Sequence, residues 1–173
     1  LTTQIAAAAA LVVWLAIEWV VSKKPTAVGA ATGAVAGLVA ITPAAGSTDV
    51  MGAMAIGAIS SVVCYFAATK LKHALNYDDS LDVFGVHGIG GIVGALLTGV
   101  FLREGYDGPV GGFSQFWIQA KSVIVTGAWS AVAAVIAIVI AKVLCRGLRV
   151  EEDVEHGGLD LNDHGEEAYN SES

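Results

Sequence analysis

Five long runs of apolar residues dominate the chain, and short polar or glycine-containing connections separate them. A helix rises about 1.5 Å per residue, so about 20 apolar residues can cross the ~30 Å hydrocarbon core of a bilayer. The pattern therefore predicts an all-α integral membrane protein with five transmembrane helices. We place the transmembrane region at residues 1–145, with spans at about 1–21, 26–45, 50–69, 81–101 and 116–144, followed by a polar tail at 146–173.

The second apolar run is interrupted near its end. Residues 26–41 are too few for a full span, and the following Thr42-Pro43-Ala44-Ala45-Gly46 contains proline and glycine. Non-helical backbone at membrane depth is tolerated only where protein or a water-filled cavity covers it. We therefore expect broken backbone after residue 41, with the Thr42 hydroxyl either lining a path or bonding its own backbone.

His87 is an ionisable side chain within the fourth apolar run. Such a group costs at least a few kcal/mol in hydrocarbon, so it usually faces a bundle interior or a polar path. A packed histidine bonded to a neighbouring helix is one interpretation, but the bilayer setting favours a transport or proton-handling role. At about 100° per residue, the helix stripe that carries His87 also contains Val83, Phe84, Gly91, Gly94 and Thr98, of which Val83 and Phe84 are candidate pore-lining residues.

Two acidic side chains, Asp79 and Asp82, stand at the predicted start of the fourth helix. Carboxylates at a helix N-terminus accept hydrogen bonds from free backbone N–H groups and interact favourably with the positive end of the helix dipole. Asp82 is more than one turn away from His87 and off its face. We therefore predict a structural role for both acids.

The composition supports a membrane protein and adds an acidic tail. Hydrophobic residues make up 55% and charged residues 14% of the chain, and the mean hydropathy is +0.67, which is too apolar for an ordinary soluble domain. The net charge of −7 arises in the tail, because nine acidic residues and no lysine or arginine follow Val150. The sequence shows no nucleophile–base pair, phosphate-binding loop or metal-ligand cluster, so we predict no enzyme and no cofactor or metal.

The lysines and arginines predict the orientation of the helices. With Leu1 outside, seven cations lie on the inner side, against only Arg103 and Lys121 on the outer side. The inner cations are Lys23, Lys24, Lys70, Lys72, Lys142, Arg146 and Arg149. This bias predicts a multi-pass protein of the cell membrane with its acidic tail in the cytoplasm. The tail is interpreted either as a solvated segment or as a partner-docking segment.

Three groups of residues, spread over nearly the whole chain, together resemble one known family. They are Asp78-Asp79-Ser80-Leu81-Asp82-Val83-Phe84-Gly85-Val86-His87-Gly88, then Lys24-Pro25-Thr26 with Val35-Ala36-Gly37-Leu38-Val39-Ala40-Ile41-Thr42-Pro43-Ala44-Ala45-Gly46, and in the tail Gly147-Leu148-Arg149-Val150, Gly158-Leu159-Asp160 and His164-Gly165-Glu166. The chain resembles the ammonium transporter, methylammonium permease and Rhesus family, in particular its bacterial-type ammonium transporters.

The resemblance implies that His87 is the second member of the family's twin-histidine pair in the pore. In that family ammonium loses a proton and crosses a hydrophobic constriction. The chemistry is reasonable, because neutral ammonia avoids most of the penalty of carrying a cation through hydrocarbon. The resemblance also implies that Thr42 belongs to a Thr-Pro-Ala motif near the pore and that Asp82 holds helix ends together.

The resemblance also implies what surrounds the chain. Family members have eleven helices in an inverted-repeat fold, and this chain resembles the last five and the cytoplasmic tail. The missing N-terminal half, a homotrimer and a PII-type signal protein at the cytoplasmic face are therefore the expected partners, with no nucleic acid. Three functions stay open: a channel that conducts ammonium or ammonia, a sensor or regulatory module that signals through the tail, and a non-conducting structural fragment that needs its N-terminal half.

Overall fold

The computed structural model describes residues 1–103, 110–145 and 147–166, and every regular element within these ranges is helical. The inner cation Arg146 and the tail acids Glu167 and Glu172 lie outside the described residues. The chain divides into two compact units, Leu1–Val125 and Thr126–Ser173.

Five membrane-type helices follow one another along the chain. They are α1 (Thr2–Ser22), α2 (Ala27–Ile41), α3 (Val50–Leu75), α4 (Phe84–Phe101) and α5 (Phe113–Leu144). Within the described residues, α1, α3, α4 and α5 are long and apolar enough to cross a membrane, whereas α2 has only 15 residues. The predicted all-α membrane architecture is confirmed.

The helix α2 is shorter than the predicted run of residues 26–45. It ends at Ile41, and residues 42–47 form consecutive turns. The reason lies in Pro43, which has no backbone N–H and so cannot donate the next helical hydrogen bond to the carbonyl of Val39; the amide of Thr42 donates to that carbonyl instead, at 3.3 Å. The backbone of these turns stays paired, because the amide of Ala44 donates to the carbonyl of Ile41 and the amide of Ser47 donates to that of Ala44, both at 2.9 Å.

The helix α3 is longer than the predicted span of residues 50–69. It continues through a π-helical segment, Ala67–Leu71, to Leu75. The chain then leaves the helix at Asn76, which adopts a left-handed conformation with φ 49°. Asparagine tolerates this conformation better than most residues, and such a residue is a common helix terminator.

Helices α1, α2 and α3 pack closely because small residues line their contacts. A Cβ atom built on Gly37 would lie 2.5 Å from the carbonyl oxygen of Ala6, so the two backbones nearly touch, as in other membrane helix pairs with small residues at the interface. Serine hydroxyls add interhelical hydrogen bonds. Ser61 Oγ donates to the carbonyl of Ala10 at 2.8 Å and Ser60 Oγ donates to that of Ala36 at 3.2 Å, and these three helices form the framework on which α4 packs.

The tail unit contains one further short helix, α6 (Glu152–Gly157), and a π-helical turn, Asp160–His164. Arg149 forms an ion pair with Glu155, with 2.8 Å between a guanidinium nitrogen and a carboxylate oxygen. Both side chains are largely exposed, and exposed pairs of this kind typically contribute at most about 1 kcal/mol. The described part of the tail is therefore ordered by weak local contacts.

Candidate functional site

His87 lies in a π-helical turn, Phe84–Gly88, which forms the first turn of α4. In this chain its imidazole is exposed, and none of the hydrogen bonds among the described residues involves it. Val83 and Phe84, four and three residues earlier, are also about half exposed. Four residues later, a Cβ built on Gly91 would have no atom within 4 Å. The start of α4 therefore presents one exposed apolar face with a single titratable ring.

Only the first part of the predicted stripe from Val83 to Thr98 is exposed, and its second part is covered by α2. Gly94 is buried against the backbone of Ala40 in α2, and Thr98, only 5% exposed, donates through Oγ1 to the carbonyl of Gly94 at 2.7 Å. Gly91, Gly94 and Thr98 all belong to the regular α-helical part of α4, Ile89–Phe101, so their different burial depends on which helix packs beside each of them. Within the preceding π-helical turn, Val86 is only 3% exposed, whereas its neighbour His87 is exposed.

Asp79 caps the start of α4. Its carboxylate accepts hydrogen bonds from the backbone amides of Val83 at 2.7 Å and Phe84 at 2.9 Å. These two N–H groups precede the regular bonds of the helix and would otherwise have no partner. The cap explains why α4 begins at Phe84 rather than at the predicted Leu81.

Asp82 has a different contact from Asp79. Its backbone is left-handed, with φ 54°, and its Oδ1 lies 2.8 Å from the Nζ of Lys72 near the end of α3. The same ammonium group donates a hydrogen bond to the backbone carbonyl of Asp79. The sequence analysis did not identify Lys72 as a partner of these two acids. Ten residues and a change of helix separate it from Asp82, so no local spacing rule joins the two residues.

Val86 connects the turn that carries His87 to the protein core. It belongs to a buried cluster with Trp14, Cys64 and Tyr65. The rings of Trp14 and Tyr65 meet edge to face, with 5.3 Å between their centroids, an arrangement that aromatic pairs prefer. The turn therefore has one well-packed side and one exposed side, and His87 is on the exposed side.

Thr42 is not brought together with His87. Its Oγ1 donates to the carbonyl of Leu38 at 2.8 Å, which is the backbone-bonding alternative considered for this residue. The adjacent Ile41 packs in a cluster with Leu97 and Phe101 at the far end of α4. At 1.5 Å per residue, that end is at least about 15 Å along the helix from His87.

Metal ligation finds no support in the residues that the structure describes, where no group of three or more histidine, cysteine, aspartate or glutamate side chains could hold an ion. The site instead consists of a helix cap, an ion pair and an exposed imidazole at the start of an apolar helix. The length and apolar composition of α1, α3, α4 and α5 define the class of protein, a multi-pass α-helical membrane protein.

Comparison with known proteins identifies the family. Residues 1–169 match the sequence profile of the Ammonium Transporter Family, and the chain belongs to that family. It is 45% identical to the ammonium transporter of Aquifex aeolicus (strain VF5) over 98% of this chain and 41% of that protein. It is 42% identical to the ammonium transporter of Bacillus subtilis (strain 168) over 98% of this chain and 43% of that protein. The resemblance inferred from the motifs is thus confirmed, and the relatives are transporters rather than enzymes.

Solved structures of this family have the same fold. A structure described as a sensor Amt protein superposes with a TM-score of 0.84 at 32% identity, over 94% of this chain and 40% of that one. The Mep2 mutant delta442 from Candida albicans superposes with a TM-score of 0.78 at 32% identity, over 86% of this chain and 40% of that one. The chain spans about two-fifths of the length of the relatives and structures that it matches.

Proposed function

We propose that this chain contributes the last five helices and the cytoplasmic tail of a channel that conducts ammonium or ammonia across the cell membrane. Family membership and the names of the relatives support this function. The observation that carries it for this chain is the exposed imidazole of His87 between apolar side chains at the start of α4. An ionisable ring is expensive to leave against lipid, so this face needs either a protein cover or a polar path.

His87 is proposed as one member of a histidine pair beside that path. Ammonium gives up a proton before the apolar constriction, and the neutral ammonia then passes residues such as Val83 and Phe84, which cannot solvate a cation. Each imidazole has one donor and one acceptor nitrogen when neutral, so two rings in contact can exchange these roles and move a proton. Thr42, whose hydroxyl oxygen keeps a free acceptor site, is proposed to line the same path nearer its other end.

The second histidine is proposed to come from an N-terminal half that completes the family's inverted-repeat fold. Support comes from the relatives, of which this chain covers 41% and 43%, and from the apolar surfaces it presents. One such surface is a groove between α1 and α3, lined among others by Val12, Met51 and Met54. In the proposed assembly these surfaces contact the other half, neighbouring subunits of a homotrimer, or lipid.

The orientation is proposed from the cations, with the tail in the cytoplasm and within reach of a PII-type signal protein. Lys23, Lys24, Lys70 and Lys72 all lie in or beside the two connections α1–α2 and α3–α4. A cluster of cations on one side of the membrane is typical of cytoplasmic connections.

A sensor function is the second candidate, since the sensor Amt structure superposes with a TM-score of 0.84. In that case the same membrane region binds ammonium, and the tail passes the signal to a partner. A non-conducting structural fragment is the third candidate. The three candidates differ in whether net substrate crosses the membrane, and in whether the tail changes a partner's activity.

A chimera tests the proposal directly. This chain would replace the aligned 175 residues of the Bacillus subtilis transporter, and uptake of methylammonium and ammonium would be measured in proteoliposomes. We expect the chimera to conduct. His87→Ala should lower the uptake rate by about 100-fold, as for removal of a typical proton-transfer group, or change the selectivity between ammonium and methylammonium. His73→Ala, which changes an exposed histidine outside α4, is the matched control. A folded chimera without uptake favours the sensor or fragment, and His87→Ala with normal uptake and selectivity contradicts the histidine's role.

A further inference from the structure

We infer that Lys72 is a positioning residue for His87: it holds the α3–α4 connection so that the π-helical turn directs the imidazole to the exposed face. The consequence for transport rests on the proposed function, whereas the positioning itself is inferred from the contacts of Lys72, Asp79 and Asp82. Lys72 Nζ lies 2.8 Å from Asp82 Oδ1 and also donates to the carbonyl of Asp79. One ammonium group therefore joins α3 to both acids that precede α4.

Each of the two acids controls part of the turn that follows it. Asp79 bonds the amides of Val83 and Phe84, which fixes where the helical hydrogen bonds begin. Asp82 adopts a left-handed backbone, φ 54°, which aspartate tolerates better than most residues other than glycine. The ion pair with Lys72 is the side-chain contact that holds Asp82 in place at this bend.

The turn that carries His87 also packs against α3, four residues before Lys72 in the sequence. A Cβ built on Gly85 would lie 3.0 Å from the Cα of Ala68, which belongs to the π-helical segment Ala67–Leu71. Two non-standard turns therefore meet, one in each helix, and Lys72 follows immediately after the first of them. The phase of both turns decides that Val86 is buried and His87 is exposed.

The energy of the ion pair indicates positioning rather than general stability. The side chains of Lys72 and Asp82 are 24% and 33% exposed, so the pair is partly buried but still reached by water, which screens the attraction between the two charges. Loss of the pair should leave the packing of α1, α2 and α3 intact and loosen only the first turn of α4. This local effect separates a positioning residue from a residue that holds the bundle together.

The test uses the chimera with a thiol reporter in place of His87, which reports position independently of transport. Exposed cysteines, including Cys145, are first replaced by serine, and the rate of modification of His87→Cys by a water-soluble thiol reagent is measured. We expect Lys72→Met and Asp82→Asn each to lower this rate about fivefold, because the turn no longer holds position 87 on its exposed face; fivefold corresponds to loss of one partly exposed ion pair. Lys72→Arg, which keeps the charge, should stay within about twofold of the parent.

A second reporter shows whether the effect is local. Val110 is an exposed residue after α4. A cysteine introduced by Val110→Cys should react at the same rate in the parent chimera and in Lys72→Met, Asp82→Asn and Lys72→Arg. A rate at position 87 that is unchanged by Lys72→Met, or a rate that changes equally at positions 87 and 110, overturns the inference. With His87 present, Lys72→Met should lower methylammonium uptake and Lys72→Arg should restore it. If labelling changes only at position 87 but no chimera takes up methylammonium, the proposed function is refuted and the positioning stands. If the chimeras take up methylammonium but Lys72→Met leaves labelling at position 87 unchanged, the positioning is refuted and the proposed function stands.

Discussion

The Nζ of Lys72 and the Oδ1 of Asp82 lie 2.8 Å apart across the connection between α3 and α4. The same connection contains Asp79, which caps α4, and leads directly into the π-helical turn that carries His87. The turn that carries the imidazole is thus continuous with a capped and ion-paired connection. The variants below test the separate parts of this arrangement.

Replacement of Asp79 by alanine should destabilise the start of α4. The amides of Val83 and Phe84 lose their acceptor, and loss of a helix cap typically costs about 1 kcal/mol. Thermal unfolding of the purified chimera would show a lower midpoint for Asp79→Ala. The control is Asp78→Ala, whose exposed carboxylate contacts only the hydroxyl of Ser80 at 3.4 Å among the described hydrogen bonds. Equal midpoints for both variants would contradict the capping role.

Replacement of Gly94 by alanine should weaken the packing of α4 on α2. An added Cβ would overlap the backbone of Ala40, and overpacking of this kind typically costs about 1–3 kcal/mol. Gly91→Ala is the matched control, because its added methyl group meets open space. The yield of folded chimera and its unfolding midpoint should fall for Gly94→Ala and stay near the parent for Gly91→Ala. A larger loss for Gly91→Ala than for Gly94→Ala would mean that Gly91, and not Gly94, is the residue of α4 that packs against α2.

Replacement of Thr42 by valine tests whether its hydroxyl serves the substrate or only the backbone. The hydroxyl donates to the carbonyl of Leu38, and a hydrogen bond of this type contributes about 0.5–1.5 kcal/mol. If Thr42 lines the path as proposed, Thr42→Val should reduce methylammonium uptake while the unfolding midpoint stays nearly constant, and Thr42→Ser should retain both. Normal uptake in Thr42→Val would limit the residue to its backbone role.

Deletion of the residues after Val150 should leave membrane insertion and folded yield unchanged. The tail helix Glu152–Gly157 has no buried residue, and its ion pair with Arg149 is largely exposed. We expect the loss to appear in coupling between subunits or in binding of a PII-type protein, measured by uptake kinetics and by co-purification. Unchanged uptake together with unchanged partner binding would leave the tail without a function in this protein.

Several features of the site follow from spacing along the chain alone. Asp79 precedes a run of apolar residues at the distance of a helix cap, and Pro43 prevents helix from continuing after Ile41. An angle of 100° per residue places Val83 to Thr98 on one stripe, but it does not show that α2 covers the second part of that stripe. The same arithmetic also assumes a regular helix, and the π-helical turn at Phe84–Gly88 departs from it within its own residues.

The amino-acid sequence by itself determined that the chain is helical, belongs in a membrane, and carries one imidazole in the fourth apolar run. Hydrophobic length and composition are enough for these conclusions, because the bilayer admits few backbone structures. The tertiary structure decided which side of α4 is buried, and that Lys72 reaches Asp82 and Asp79. Contacts between helices depend on the packing of residues far apart in the chain, so a pattern read along one helix does not contain them.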